Sequence, residues 1–137
     1  MTLNSSSRKQ AGKPAMSEKL YALKGKRVWV AGHRGMVGSA LVRRLADEGC
    51  EIITAGRETV DLLRQEAVET WMADVRPDAV FLAAGKVGGI YANDTLPAEF
   101  LYNNLMIEAN IIHSAHLHNV EELLFLGSSC IYPKLAP

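Results

Sequence analysis

The chain has 137 residues, enough for one domain with a sizeable core, and its 48% hydrophobic and 22% charged residues are ordinary globular proportions. Lys and Arg total 15, as do Asp and Glu, so no overall field favours nucleic acid or an anionic membrane surface. Cys50 and Cys130 are too few for a disulfide framework, no secretory signal is evident, and no apolar run approaches the roughly 20 residues that span a bilayer; a soluble, cytoplasmic protein is expected.

Residues 1–19, with Ser5-Ser6-Ser7-Arg8-Lys9-Gln10 and Gly12-Lys13-Pro14, show no apolar periodicity. Such a stretch cannot bury enough surface to offset its ordering entropy, so a disordered tail is expected, with one folded unit over 20–137. Val28–Ala31 is uninterruptedly apolar, the pattern of a parallel strand covered on both faces. Behind it, Val37, Leu41 and Leu45 fall at i, i+4 and i+8 with Val42 beside them, while Arg43, Arg44, Asp47 and Glu48 lie opposite. That spacing predicts an amphipathic helix with Gly49 as its C-cap. Glu51–Ala55 reads as a second strand. Over 64–76, Val68, Trp71, Met72 and Val75 repeat at i, i+3, i+4 and i+7, a second helix that Pro77 closes. Ala79–Ala84 is a third apolar strand.

A glycine-rich loop, Gly85-Lys86-Val87-Gly88-Gly89-Ile90, and a polar stretch to Pro97 follow. A long helix is predicted over 98–118, with Leu101, Leu105, Ile112 and Ala115 as its inner stripe and Ile107 and Ile111 alongside. Leu123–Leu126 makes a fourth strand. Strand and helix alternate with no hairpin signal, which predicts an α/β fold: a Rossmann-type doubly wound parallel sheet with right-handed crossovers. The expected strand order is 3-2-1-4, with a crevice between strands 1 and 4. A full doubly wound sheet continues beyond its fourth strand, so the sheet is expected to be incomplete here.

The chemistry-bearing stretch is Gly32-His33-Arg34-Gly35-Met36-Val37-Gly38. Three glycines spaced three apart differ from the commoner G-x-G-x-x-G, but they too follow an apolar strand and open an amphipathic helix. There they allow a tight turn, close backbone approach to a pyrophosphate, and close helix–strand packing, with the helix N-terminus offering its N–H groups to phosphate. After strand 2 an NAD site usually presents Asp or Glu to the ribose 2′-hydroxyl. This chain presents Arg57, and Arg34 lies inside the turn, so a 2′-phosphate and hence NADP(H) is favoured over NAD. Both arginines also read as solvated surface residues, with Glu58 available to neutralise Arg57. Asp61-Leu62 is placed to meet an adenine amine, although Asp61 could equally cap the helix starting near Arg64. Ala83-Ala84-Gly85 ends strand 3 with small residues that suit a nicotinamide or ribose against the backbone, or tight helix–sheet packing. Leu126, Gly127, Ser128, Ser129 and Cys130 follow strand 4, where open α/β sheets carry reactive groups; Cys130 equally suits a buried inert thiol. His33, His113, His116 and His118 lack the carboxylate or cysteine neighbours of a metal site, and no metal is expected.

With Asn104 in the fourth-helix pattern, these motifs resemble the extended short-chain dehydrogenase/reductases. The strings Ala31-Gly32-His33-Arg34-Gly35-Met36-Val37-Gly38-Ser39, Lys86-Val87-Gly88-Gly89-Ile90 and Phe125-Leu126-Gly127-Ser128-Ser129-Cys130-Ile131-Tyr132-Pro133-Lys134 are similar to the branch that acts on GDP-4-keto-6-deoxy-D-mannose. The resemblance implies 3,5-epimerisation of that sugar nucleotide, followed by hydride reduction at C4 to GDP-L-fucose. It also implies that Gly32 to Gly38 with Arg34 hold the NADP phosphates, Leu126 to Ser129 line the cofactor crevice, and Asn104 fixes the active-site loop. Ser128 then hydrogen-bonds the C4 oxygen, and Cys130 serves as acid/base in epimerisation. Relatives of this kind are commonly dimers, so a homodimer is expected, with a GDP-sugar substrate and no nucleic-acid or membrane partner.

Two departures stand out. Ala55 replaces an arginine that some relatives carry at the end of strand 2. The family's Tyr-x-x-x-Lys pair, its epimerase histidine and its substrate domain would lie past Pro137, so the chain is expected to be an N-terminal portion, inactive by itself. A nucleotide-binding module without catalysis and a related sugar-nucleotide epimerase or dehydratase are the competing expectations.

Overall fold

The computed structural model describes residues 21–128 with Ile131, Tyr132 and Leu135. The tail expected over 1–19, together with Ser129 and Cys130, lies outside the described residues. The elements run β1 (Arg27–Ala31), α1 (Met36–Leu45), β2 (Glu51–Ile53), α2 (Gln65–Val75), β3 (Ala79–Leu82), α3 (Ile90–Thr95), α4 (Pro97–Leu117) and β4 (Glu122–Phe125). All strand pairs are parallel, so the Rossmann-type α/β class stands.

The strand order within that class is corrected. The sheet runs β2-β1-β3-β4 rather than 3-2-1-4. The expected order requires two strands on one side of β1 before the chain crosses back. Only the three-residue β2 is laid there. After α2 the chain returns to the far side of β1, where Val28 pairs with Ala79 and Ala31 with Leu82. The reversal, and with it the crevice, therefore falls between β1 and β3.

The central strands carry the core. Trp29, Ala31, Val80 and Leu82 point to the face that α2 and α4 cover with Val68, Met72, Ile107 and Ile111. Val28, Val30 and Ala79 point to the opposite face, with Leu45 of α1. Each large apolar side chain buried in this way contributes about 1.5–3 kcal/mol. Helix α2 ends where Arg76 adopts a left-handed conformation (φ 42°) and its N–H bonds the Met72 carbonyl at 2.9 Å. Pro77 then prevents continuation.

Three sequence expectations shift. The inner stripe of α4 is Phe100, Ile107, Asn110, Ile111, Ser114 and Ala115, whereas Leu101 and Leu105 are 63% and 53% exposed and Ile112 also faces outward. Helix α4 is apolar on two faces, and the face that meets α2 and β3 is the buried one. Helix α1 stops at Ala46 rather than Gly49. Gly49 (φ 68°) instead shapes the turn into β2, its carbonyl accepting the Gly25 N–H at 2.9 Å. The stretch expected as polar loop contains α3, where the Asn93 amide donates to the carbonyls of Gly88 and Gly89, both at 3.0 Å. Among the described residues no helix is long and apolar enough to cross a membrane.

At the N-terminal edge of the sheet, the Lys26 ammonium and the Tyr21 hydroxyl each donate to the Glu121 carboxylate at 2.7 Å. These two bonds hold Glu121 below the ordinary glutamate range; burial, then the Glu121 bond, raises the Tyr21 phenol. A carboxyl with a depressed folded pKa contributes stability above its unfolded pKa and loses it as pH falls through the folded value. E121Q should therefore be less stable than the unmodified chain near neutral pH. In thermal melts across an acid series the two should converge below the glutamate range; a gap independent of pH would contradict this linkage.

Candidate cofactor site

The turn after β1 is built from three glycines with three different duties. Gly32 adopts φ 86°, and a Cβ there would stand 2.6 Å from the Ala84 nitrogen and 2.7 Å from the Ala83 carbonyl carbon. Only glycine fits this left-handed position against a neighbouring strand. Gly35 donates its N–H to the Gly32 carbonyl at 2.9 Å and is the N-cap of α1. At Gly38 a Cβ would lie 2.7 Å from the Gly32 carbonyl carbon and 2.9 Å from His33 Cα, so the helix rests directly on the turn.

No side chain caps α1, and its first turn holds no acidic residue. The opening amides of a helix lack intrahelical partners, and the dipole gives that end partial positive charge. Such an end suits an anion.

The turn forms one wall of a cleft of about 540 Å³, within the range typical of small-molecule sites. Trp29, Ala31, Val60 and Ile107 make an apolar floor; Ala55 to Arg57 and Asp61 to Leu63 form the β2 side, and Ala83 to Lys86 the β3 side. Of the expected cofactor residues, Gly32, His33, Arg34 and Gly35 line this cleft, as do Arg57, Asp61, Leu62, Ala83 and Ala84. Met36, Val37 and Gly38 belong to α1 behind the turn and do not line it; Met36 is 88% exposed. Leu126, Gly127 and Ser128 follow β4 at the same end of the sheet but outside the cleft lining, with the Leu126 N–H bonded to the Leu82 carbonyl at 3.2 Å. Ser129 and Cys130 are outside the described residues.

Glu58 pairs with Arg34, not with its neighbour Arg57: the Arg34 guanidinium reaches the Glu58 carboxylate at 2.6 Å. The Glu58 backbone N–H, followed by Arg34, holds that carboxyl below the ordinary glutamate range. Asp61 does not cap α2, whose N-cap is Arg64. Its carboxylate accepts the Leu63 N–H at 3.1 Å, closing an Asx-type turn on the cleft wall. Behind that turn, Asn110 of α4 donates its amide to the Leu62 carbonyl at 2.9 Å. Asn110 was missed; its sequence signal is a carboxamide on the apolar stripe of a helix.

The opposite wall is held the same way. Asn104 accepts the Lys86 N–H at 2.7 Å and donates to the Lys86 carbonyl at 3.1 Å. The Lys86 ammonium pairs with Glu99 and lies 5.1 Å from the Phe100 ring centre. A Cβ at Gly88 would come within 2.8 Å of the tip of that ring, so a larger residue there would have to displace it. His113 and His116 are exposed on α4, away from this cleft.

The groups present fit a dinucleotide. The cradle at Gly32 excludes any Cβ, the uncapped end of α1 suits phosphate, Arg34 and Arg57 supply cationic groups at the β2 side, and the floor is apolar. Together they define a Rossmann-type fold with a cleft suited to a nucleotide. The profile of the NAD dependent epimerase/dehydratase family matches residues 28–137, and the chain belongs to that family.

Among characterised proteins, the chain is 61% identical over 117 residues to GDP-L-fucose synthase of Sinorhizobium fredii, covering 85% of this chain and 37% of that protein. It is 59% identical over 111 residues to GDP-L-fucose synthase of Escherichia coli, covering 80% of this chain and 35% of the relative. The structure is similar to that of a GDP-mannoheptose C4 reductase from Campylobacter jejuni with NADP bound, with TM-score 0.78, 38% identity, and coverage of 82% of this chain and 36% of the other. The chain thus spans about a third of the length of these relatives.

Proposed function

We propose that a protein carrying this chain is an NADP-dependent epimerase-reductase converting GDP-4-keto-6-deoxy-D-mannose to GDP-L-fucose, in the cytoplasm and as a homodimer, without nucleic-acid or membrane partners. The observation that carries the reading is the 61% identity to a GDP-L-fucose synthase over 117 residues of this chain. In this proposal Gly32, His33 and Gly35, with the α1 amides of Met36 to Gly38, hold the pyrophosphate. Arg34, with Arg57 beside it, meets the 2′-phosphate, and Asp61 and Leu62 meet the adenine. Ala83 and Ala84 border the nicotinamide half, and Leu126, Gly127, Ser128 and Ser129 contribute further cofactor contacts. When bound, NADPH supplies the hydride for ketone reduction.

The protein's own groups handle protons and charge. The 4-keto group acidifies the carbons on either side of it, so the thiolate of Cys130 can remove a proton from one face of C3 or C5 to give an enolate, and a separate acid that protonates the opposite face completes the inversion. The Ser128 hydroxyl donates to the C4 oxygen as negative charge develops there. Asn104, by bonding both backbone groups of Lys86, fixes the loop after β3 that forms one wall of the cleft.

The second reading is a reductase of another GDP-linked sugar, favoured by the likeness to the heptose C4 reductase. Turnover decides between them. NADPH consumption by a protein carrying this chain should be fastest with GDP-4-keto-6-deoxy-D-mannose and at least tenfold slower, on the order of 1.4 kcal/mol in barrier, with its UDP and dTDP counterparts. Preference for a GDP-heptose would install the second reading instead, and binding without turnover of either sugar would leave a nucleotide-binding module.

A further inference from the structure

Arg34 is the cation assigned above to the 2′-phosphate, yet its guanidinium is already engaged by a carboxylate. Two of its nitrogens face Glu58, at 2.6 and 3.4 Å. Glu58 lies on the turn after β2, and its carboxylate folds back over the Cα of Gly56, in the space a Cβ at that position would need. Gly56 and Arg34 both line the cleft, and the Glu58 carboxylate, outside the lining itself, touches both of them where the β2 wall meets the glycine turn. The same carboxylate draws on the Glu58 backbone N–H. A cationic fork, a backbone N–H and an open glycine surface together make a small anion seat, and a side chain of the protein fills it.

We infer that Glu58 is a specificity-determining residue: an internal anion that a 2′-phosphate must displace from Arg34, weakening binding of 2′-phosphorylated nucleotides relative to those with a plain ribose. This rests on the reading of Arg34 as the 2′-phosphate contact. Two effects point the same way. Displacement breaks an ion pair whose partners are 70% and 61% exposed, a modest loss. The displaced carboxylate then stays within a Debye length of a second anion and repels it. A nucleotide without the phosphate meets neither effect. The pair thus limits the preference for NADP(H) that Arg34 provides.

Calorimetric titration of the full chain at low ionic strength tests this with 2′,5′-ADP and 5′-AMP, which differ only by the 2′-phosphate. E58Q should bind 2′,5′-ADP about threefold to tenfold more tightly than the unmodified chain, with 5′-AMP changed by less than about twofold. E58A should do the same and keeps the test open if E58Q does not fold. Unchanged or weaker 2′,5′-ADP binding in the folded variants overturns the inference. R34A separates the two levels of the argument. If R34A abolishes the preference for 2′,5′-ADP while the Glu58 variants behave as the unmodified chain does, this inference alone fails. If R34A leaves the preference intact, or the unmodified chain binds neither nucleotide, the cofactor reading fails and takes the inference with it.

Discussion

Gly32→Ala should cost about 2–4 kcal/mol and abolish nucleotide binding to the cleft. Two terms combine. The residue sits at φ 86°, where a side chain pays roughly 1 kcal/mol in backbone strain. The added methyl would also lie 2.6–2.7 Å from the backbone of Ala83 and Ala84, directly after β3, where the Ala83 N–H is bonded to the Ala31 carbonyl of β1 at 3.0 Å and backbone cannot easily yield. Overpacking against such atoms adds about 1–3 kcal/mol. Gly25→Ala is the matched control, because Gly25 has φ 77° and nothing within 4 Å of its notional Cβ. Urea unfolding of the two variants separates strain from collision. Gly25→Ala should lose only the strain term, about 1 kcal/mol, and equal losses at the two sites would sink the steric argument.

Trp29→Ala is the second large effect, about 3–5 kcal/mol, a substantial share of the 5–15 kcal/mol typical of a domain. The side chain is 1% exposed in the central strand, its ring 6.2 Å from that of Trp71, and its edge forms part of the cleft floor. Truncation leaves a cavity beneath the site and removes an aromatic contact. Trp29→Phe is the informative companion. The Trp29 indole N–H is buried with no hydrogen-bond partner among the described residues, so its loss forfeits no bond. Phenylalanine should therefore keep most of the stability, losing about 1–1.5 kcal/mol for the smaller ring. Denaturation midpoints that fall equally for both variants would show that the indole nitrogen, not the packing, carries the effect.

Sheet class and turn were legible because their signals are local. Val28–Ala31 running into Gly32, Gly35 and Gly38 already describes a buried strand, a left-handed turn and a tightly docked helix. Strand order was not legible, because it depends on which side of β1 the chain takes after α2, and no residue in α2 records that. The stripe of α4 was ambiguous for another reason. Leu101, Leu105 and Ile112 satisfy helical spacing as well as Ile107 and Ile111 do, and only the position of α2 and β3 selects between them. At the site, glycines and small residues could be placed from spacing, but side-chain pairings could not. Glu58 is adjacent to Arg57 in sequence and binds Arg34 in space, 24 residues away. Asn110 reaches Leu62 across 48 residues of chain. Such contacts arise only when β2, the glycine turn and α4 converge.

The support of Gly38 on the Gly32 carbonyl also bears on kinetics. A loop that must order itself around a phosphate slows capture and loses affinity to entropy. Here the amides of the turn are fixed by the helix behind them and by the Gly35 N–H bond within the turn, so folding aligns them before any ligand arrives. A phosphate recognised at this end of the cleft would therefore dock against a surface that folding has already set.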